Sequence, residues 1–262
     1  MAALRIGAHV DQVDPIVAAQ DRGADAAQFF LGDPQNWKGP SVAYPGGAAA
    51  LREAAQAAGI VLVVHAPYVI NVATANNRIR IPSRKLLQQH VDLAAQVGAS
   101  AVVVHGGHVT AGDDPAAGFD NWRKCAERLN ATVPVLVENT AGGDGAMART
   151  LERIAMLWDA VGDSGLGFCL DTCHAFAGGL DLATVVDEVL AITGRIDLVH
   201  ANDSRDEAGS GADRHANLGE GTIGLDAIAA VVRAAGAPVI LETPGAKSGE
   251  GDDVDRLRAA IG

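Results

Sequence analysis

Six apolar runs in this chain each end on a side chain that can donate to a metal ion: Leu62-Val63-Val64-His65, Val102-Val103-Val104-His105, Val135-Leu136-Val137-Glu138, Phe168-Cys169-Leu170-Asp171, Asp197-Leu198-Val199-His200 and Val239-Ile240-Leu241-Glu242. Two short spacings add donors, Asp171-Thr172-Cys173-His174 and Asp213-Arg214-His215, which brings the candidates to nine: His65, His105, Glu138, Asp171, His174, His200, Asp213, His215 and Glu242. Gathering so many imidazoles and carboxylates in one buried place is unfavourable unless opposite charge compensates them, and divalent cations do so most simply. Nine donors are too many for one tetrahedral ion. Imidazole mixed with carboxylate suits zinc, and suits manganese or iron less well.

The six ends meet only if the elements carrying them are arranged to point one way. A continuous apolar run with a polar C-terminal residue reads as a buried parallel strand whose end carries chemistry. Strands are expected at Leu4 to Ala8, Ala26 to Phe30, Val61 to His65, Ala101 to His105, Val135 to Glu138, Gly167 to Asp171, Ile196 to His200 and Val239 to Glu242. Between them lie stretches with helical spacing, such as Leu86, Leu87, Val91, Leu93 and Val97, and Gly59, Gly98 and Gly236 stand where left-handed helix caps belong. The ligand candidates are 40, 33, 33, 29 and 42 residues apart, about one strand, loop and helix each. The expected fold is therefore α/β, a (β/α)8 TIM barrel forming a single domain over residues 1–262. Alternation along each strand puts Val61 and Val63 inside with His65, and Leu62 and Val64 outside against helices. A doubly wound open sheet would spread the six ends along a line.

Composition narrows the class further. With 48% hydrophobic residues the chain can bury one large core, and three cysteines give no disulfide framework. No leader or long apolar span is visible, so a cytoplasmic protein without membrane association is expected. A net charge of -12 argues against a broad basic face, so a phosphate-bearing partner must be held locally.

The ordered motifs carry a family resemblance. Ile6-Gly7-Ala8-His9-Val10, Phe29 through Trp37, His65-Ala66-Pro67-Tyr68, Val104-His105-Gly106, Glu138-Asn139-Thr140, Leu170-Asp171-Thr172-Cys173-His174, His200-Ala201-Asn202-Asp203-Ser204, Asp213-Arg214-His215 with Gly219-Glu220-Gly221, and Glu242-Thr243-Pro244 resemble those of the endonuclease IV family of apurinic/apyrimidinic endonucleases. The resemblance runs nearly end to end and implies three Zn2+ ions per chain. By similarity His65, His105 and Glu138 would hold the first. Glu138 would bridge to a second held by Asp171, His200 and Glu242, and His174, Asp213 and His215 would hold a third. The implied catalytic residues are Glu138 and Glu242. The implied reaction is hydrolysis of the phosphodiester 5′ to an abasic site in double-stranded DNA, leaving 3′-hydroxyl and 5′-deoxyribose phosphate ends, with metal ions lowering the pKa of a water to about 7 and stabilising the leaving oxygen. The family bends DNA and flips the damaged nucleotide, which implies contacts from Tyr68 and Val69 in the third loop and from Gln35, Asn36 and Trp37 in the second. Gln35 stands where some relatives carry arginine, and Gly106 where many carry proline. No obligate protein partner is implied.

One reading needs no family. Arg78, Arg80, Arg84 and Lys85 crowd a segment with no acidic residue, and Ser83 looks like the cap of the following helix. Cations at a helix N-terminus oppose its dipole, so Arg78 and Arg80 are expected to meet DNA phosphates. His90 and Cys125 read as structural, Cys169 as a barrel-interior hydrophobe, and His9 and His108 as candidates to line the site. A divalent-metal sugar isomerase or epimerase of similar barrel type is the alternative. It needs only four of the donors and leaves His65, His105, His174, Asp213 and His215 without a use. A non-catalytic metal barrel is the third class.

Overall fold

A computed structural model describes residues 4–245 and 252–262. Eight parallel strands close into a barrel: β1 (Ile6–His9), β2 (Ala26–Phe30), β3 (Val61–His65), β4 (Ala101–His105), β5 (Val135–Glu138), β6 (Gly167–Asp171), β7 (Leu198–His200) and, after a two-stranded hairpin of β8 (Asp203–Ser204) and β9 (His215–Ala216), β10 (Val239–Leu241). β10 returns to pair with β1, aligning Ile6 with Val239 and Ala8 with Leu241, which is what closes the sheet. Around it run α1 (Pro15–Asp21), α2 (Gly47–Ala58), α3 (Asn77–Val97), α4 (Pro115–Ala126), α5 (Leu151–Val161), α6 (Thr172–Gly178), α7 (Val185–Thr193), α8 (Leu225–Ala235) and α9 (Asp253–Ile261). Five strands begin and end where the apolar runs do. β1 starts two residues late and takes in His9, β7 starts at Leu198 rather than Ile196, and Glu242 sits one residue beyond β10.

Strand alternation separates two cores. Val63, Ala101, Val103, Leu136, Cys169, Leu198 and Ile240 form the interior of the barrel with Ala26. Leu62, Val64, Val102, Val104, Val137, Phe168, Leu170, Val199 and Leu241 face out into the layer shared with the helices. The interior residues have the same parity as the six ligand candidates, so the register that packs the barrel also aims all six side chains at its C-terminal mouth. At the opposite end, small side chains such as Ala26 and Ala101 leave an apolar cavity of about 270 Å³.

The helix ends follow local chemistry. Gly59, Gly98 and Gly236 have φ of 70°, 74° and 60°, the left-handed caps that let three helices turn back into strands. Ser83 is not a cap. α3 begins six residues earlier, where the Asn76 side chain accepts from the Arg78 N–H at 2.9 Å, and Pro82 lies inside the helix. Ser83 is buried, and its hydroxyl accepts from the Asn71 N–H at 2.9 Å, pinning the β3–α3 loop. Among the described residues no helix is long and apolar enough to cross a membrane.

Candidate metal centre

The six strand-end side chains converge at the mouth, with Glu138 at their centre. Its Oε2 lies 3.3 Å from His65 Nε2 and 3.2 Å from His105 Nε2, while its Oε1 lies 2.9 Å from His200 Nδ1. The two oxygens of one fully buried carboxylate thus face two different sets of imidazoles. His200 Nδ1 is also 3.4 Å from Glu242 Oε2 and 3.9 Å from Asp171 Oδ2. The remaining donors come from outside the barrel strands. His174 lies in the first turn of α6, Asp213 in the β8–β9 connection and His215 on β9, and Asp213 Oδ1 is 3.1 Å from both His174 Nε2 and His215 Nε2.

Three sets of donor atoms each fall within 4.8 Å of one another: His65, His105 and Glu138; Glu138, Asp171, His200 and Glu242; and His174, Asp213 and His215. Two donors on one zinc, each at about 2.0–2.2 Å, can be no more than about 4.4 Å apart, so each set needs only slight closure to meet around an ion. All nine sequence candidates belong to these sets. A fourth set, of Asp171, Cys173 and His215, was not anticipated and shares two of its members with the others.

Hydrogen bonds on the far side of each ring decide which nitrogen is free. His65 Nδ1 is 2.7 Å from the Ala66 carbonyl, His174 Nδ1 is 2.9 Å from the Asn139 carbonyl, and His200 Nε2 is 2.9 Å from Gln28 Oε1. A nitrogen beside an acceptor carries the proton, so the other nitrogen of each ring presents its lone pair to the cluster, the usual arrangement of metal-bound histidine. His174 Nε2 and His215 Nε2 are buried without a hydrogen bond. Their 3.1 Å approaches to Asp213 are ion-pair distances without hydrogen-bond alignment. Buried nitrogens left in this way fit a cation between them and the carboxylate.

The carboxylates are held as firmly. Asn139 accepts from the Asp171 N–H at 2.7 Å and donates to the Asp171 carbonyl at 3.0 Å. Asn202 donates to Asp171 Oδ2 at 2.7 Å and accepts from the Glu242 N–H at 2.8 Å. Gln28 donates to Glu242 Oε1 at 2.6 Å and stands 3.1 Å from His9 Nδ1, which is 3.6 Å from the same carboxylate. His9 therefore lines the site beside Glu242, whereas His108 is exposed. Asp203, fully buried, accepts from the N–H groups of Ser204, Gly219, Gly221 and Ile223 at 2.8–3.1 Å and so fixes the segment that carries His215. A Cβ on Gly221 would come within 2.4 Å of Asp203, which is why that position is glycine. The roles of Gln28 and Asp203 went unread in the sequence. A single glutamine inside Ala26-Ala27-Gln28-Phe29-Phe30, at interior parity, was the available signal.

Gly106 and Gly107 also have structural causes. The Gly106 N–H donates to the Glu138 carbonyl at 3.0 Å, a bond that proline could not make. Its carbonyl accepts from Trp122 Nε1 at 2.7 Å. Gly107 has φ of 69°, and the Asn71 side chain sits where its Cβ would be.

Without bound cations the cluster balances its charge with protons. Burial alone would raise the Glu138 carboxyl, but the His200, His105 and His174 imidazoles outweigh it and hold that group well below the carboxylate range. Burial works against a charged His174 too, yet Asp171, Asp213 and Glu138 keep its pKa well above that of free imidazole, and His215 is raised to about 11 against the same opposition, chiefly by Asp213. A histidine raised in this way stabilises the fold fully below its unfolded pKa of about 6.5 and loses that contribution as pH rises toward the folded value. Metal binding must displace these protons and so strengthens with pH. Between pH 6.5 and 9 the melting temperature of EDTA-stripped protein is therefore expected to fall, while the gap to zinc-loaded protein widens. A stripped protein that gains stability over this window would contradict the charge assignment.

The residues expected to touch DNA all lie in loops at the mouth or in their continuation. Tyr68 is 55% exposed, with its ring 5.8 Å from those of His65 and His105 and 5.3 Å from Phe30, and Val69 is half-buried against the core. Gln35, Asn36 and Trp37 occupy the β2–α2 loop, where Asp33 accepts from the Gln35 N–H at 2.9 Å and the Asn36 amide at 2.8 Å, leaving the Trp37 side chain 46% exposed. Arg78 is exposed. Arg80 differs from it: its guanidinium donates to the Thr74 and Ala75 carbonyls at 2.9 Å each and to Asn77 Oδ1. Arg84 donates to the Asn121 carbonyl at 2.7 Å, tying α3 to α4. His90 is buried, with Nδ1 2.9 Å from the Leu86 carbonyl, and Cys169 is buried in the barrel interior.

Comparison with known proteins gives a consistent result. Residues 16–260 match the family described as xylose isomerase-like TIM barrel. A protein named probable endonuclease 4 from Mycobacterium bovis is 58% identical over 257 residues, covering 98% of this chain and 99% of that one. The crystal structure of endonuclease IV from Thermus thermophilus superposes with a TM-score of 0.82 at 31% identity, over 98% of this chain and 97% of that one. A D-tagatose 3-epimerase-like protein, at 21% identity and a TM-score of 0.76 over 98% and 96% of the two chains, shares the fold.

Proposed function

Since the chain belongs to the endonuclease IV family of xylose isomerase-like TIM barrels, we propose that it hydrolyses the phosphodiester 5′ to abasic sites in double-stranded DNA with three zinc ions, leaving 3′-hydroxyl and 5′-deoxyribose phosphate ends. The observation that carries this reading is the third donor set. His174, Asp213 and His215 stand outside the barrel strands yet share a mouth with the six strand ends. A sugar epimerase needs only the set of Glu138, Asp171, His200 and Glu242, and has no use for the other five donors.

Bound there, such ions supply Lewis-acid polarisation of phosphate oxygens and a water acidic enough to attack at neutral pH. The residues of the chain set the stage for that chemistry. Glu138 joins the first two donor sets through its two oxygens, and Glu242, gripped by Gln28 and Asn202, closes the second. The Asp213 side chain is 50% exposed, so the third set faces the open mouth where a DNA strand would lie. Partial burial and the negative charge of Glu242, Asp213 and Glu138 raise the Tyr68 phenol to about 12, so it keeps its proton and can donate to a phosphate or sugar oxygen. Exposed Tyr68 and Trp37 on adjacent loops offer rings that could occupy the gap left by a flipped nucleotide.

The net charge of -12 means that duplex binding rests on few cations. Because Arg80 is engaged with its own turn and Arg78 is not, Arg78→Ala is expected to reduce the salt slope of duplex affinity by about one, and Arg80→Ala to act mainly through loop stability. Equal slopes for wild type and Arg78→Ala would remove Arg78 from the interface. The function itself is tested by incision of a duplex carrying one abasic site, against an intact duplex and a ketose substrate. Metal-dependent cutting of the abasic duplex alone is the expected result, and epimerisation of the ketose without cutting would replace this reading.

A further inference from the structure

Arg149, at the end of the β5–α5 connection, is a part-buried cation whose one carboxylate partner among the described residues is loose and exposed. Its side chain is 23% exposed, and its Nε is buried without a hydrogen-bond partner. The carboxylate beside it, Asp144, is fully solvent-exposed with its oxygen 3.8 Å away, a surface pair of little energetic weight. Three other arginine forks are matched to carboxylates, Arg22 to Asp252 at 3.0 and 3.2 Å, Arg195 to Asp197 at 2.8 and 3.0 Å, and Arg214 to Asp206, while Arg80 and Arg84, whose Nε atoms are likewise buried without a partner, donate to backbone carbonyls. Held only by its loose pair with Asp144, the part-exposed guanidinium keeps donors to offer an anionic ligand.

Its position says which ligand. The Arg149 backbone and Cγ pack on Gly178 at the end of α6, and a methyl group added at Gly211 would meet its Nη2 at 3.7 Å. Gly178 lies four residues beyond His174 and Gly211 two residues before Asp213. Two trans peptides span at most about 7.6 Å between Cα atoms, so the guanidinium meets the loop of Asp213 within two residues of that member of the third donor set. The two connections pack backbone to backbone there: a Cβ on Gly142 would fall 2.1 Å from the Gly211 carbonyl. Glycine at both positions lets the β5–α5 and β8–β9 connections touch, which brings Arg149 against the loop that carries Asp213.

We propose that Arg149 grips a backbone phosphate of the bound DNA strand next to the phosphodiester that is cut, through the paired donors of its guanidinium. The proposal rests on the nuclease reading above and adds a specific positioning contact to it. Arg149 does not touch the reacting atoms. It fixes the register of the strand over the donor sets.

The test uses the zinc-loaded enzyme and abasic duplexes in which each phosphate flanking the cut is replaced, one at a time, by an uncharged methylphosphonate. One replacement is expected to lower wild-type kcat/KM about ten-fold at low salt, mainly through KM, and to have no effect on Arg149→Ala. Arg149→Ala should also reduce the salt slope of kcat/KM by about one, with metal content unchanged, and Arg149→Lys should restore most of that slope. A wild type insensitive to every neutral linkage overturns the proposal even if Arg149→Ala does not fold. So does an Arg149→Ala enzyme with wild-type salt slope and wild-type sensitivity to each linkage. Inorganic phosphate that binds wild type but not Arg149→Ala, without competing with the duplex, would point to free phosphate as the ligand and would also overturn it. A wild type that cuts no abasic duplex at all sinks the nuclease reading instead, so the two failures are distinct.

Discussion

Glu138→Gln is expected to lower the rate of abasic-site incision by about three to four orders of magnitude, with loss of metal from two of the three donor sets. Glutamine keeps the volume and removes the charge. In this protein that charge is shared: Oε2 faces His65 and His105, and Oε1 faces His200. A neutral amide is a poor ligand for two cations at once, and its NH2 group would face at least one imidazole lone pair. Lewis-acid stabilisation worth several kcal/mol, at about 1.36 kcal/mol per factor of ten, gives the expected loss. The carbonyl that accepts from Gly106 is untouched, so the barrel should stay closed. The measurement is single-turnover incision together with metal content and a thermal melt. A variant retaining full metal and more than a tenth of the activity would remove Glu138 from the centre of the account.

The second large effect is expected at Asp213. Asp213→Ala should cost one ion per chain and about two orders of magnitude in incision, with the other two donor sets still loaded. Asp213 is 50% exposed in a connection between short strands, so its removal disturbs no core, yet it is the acidic member that joins His174 to His215. Without it, two buried imidazole nitrogens face each other with no carboxylate between them. Metal analysis and incision by the same preparation check this. If activity falls while all ions stay bound, Asp213 acts on the substrate rather than on the metal.

The barrel and its donors were legible in the sequence because one pattern encodes both. A four- or five-residue apolar run between turn signals is too short for a buried helix and reads as a strand, and the parity that puts Val63, Leu136 and Cys169 inside also turns His65, Glu138 and Asp171 inward at the mouth. Gly59, Gly98 and Gly236 mark helix ends because left-handed caps require them. Other features were not legible, each for a local reason. Ser83 next to Pro82 mimics a helix start, but Asn76 caps the backbone earlier and Arg80 satisfies the carbonyls of the preceding turn. Gln28 hides within an apolar strand, since its partners His200 and Glu242 are 172 and 214 residues away. Asp203 looks like one more acidic residue of a loop until the folded chain brings five N–H groups to it. Arg149 gives no sequence signal, because what distinguishes it is the lack of a buried carboxylate beside it in three dimensions.

The claim that organises all of this is that nine side chains form three donor sets serving one phosphodiester cut. It is tested most directly by counting zinc in a preparation that is cutting a single-abasic duplex, and mapping the ends produced. The account predicts three ions per chain and a single cut on the 5′ side, leaving a 3′-hydroxyl. One ion per chain, a cut on the 3′ side, or no cut at full metal occupancy would contradict it.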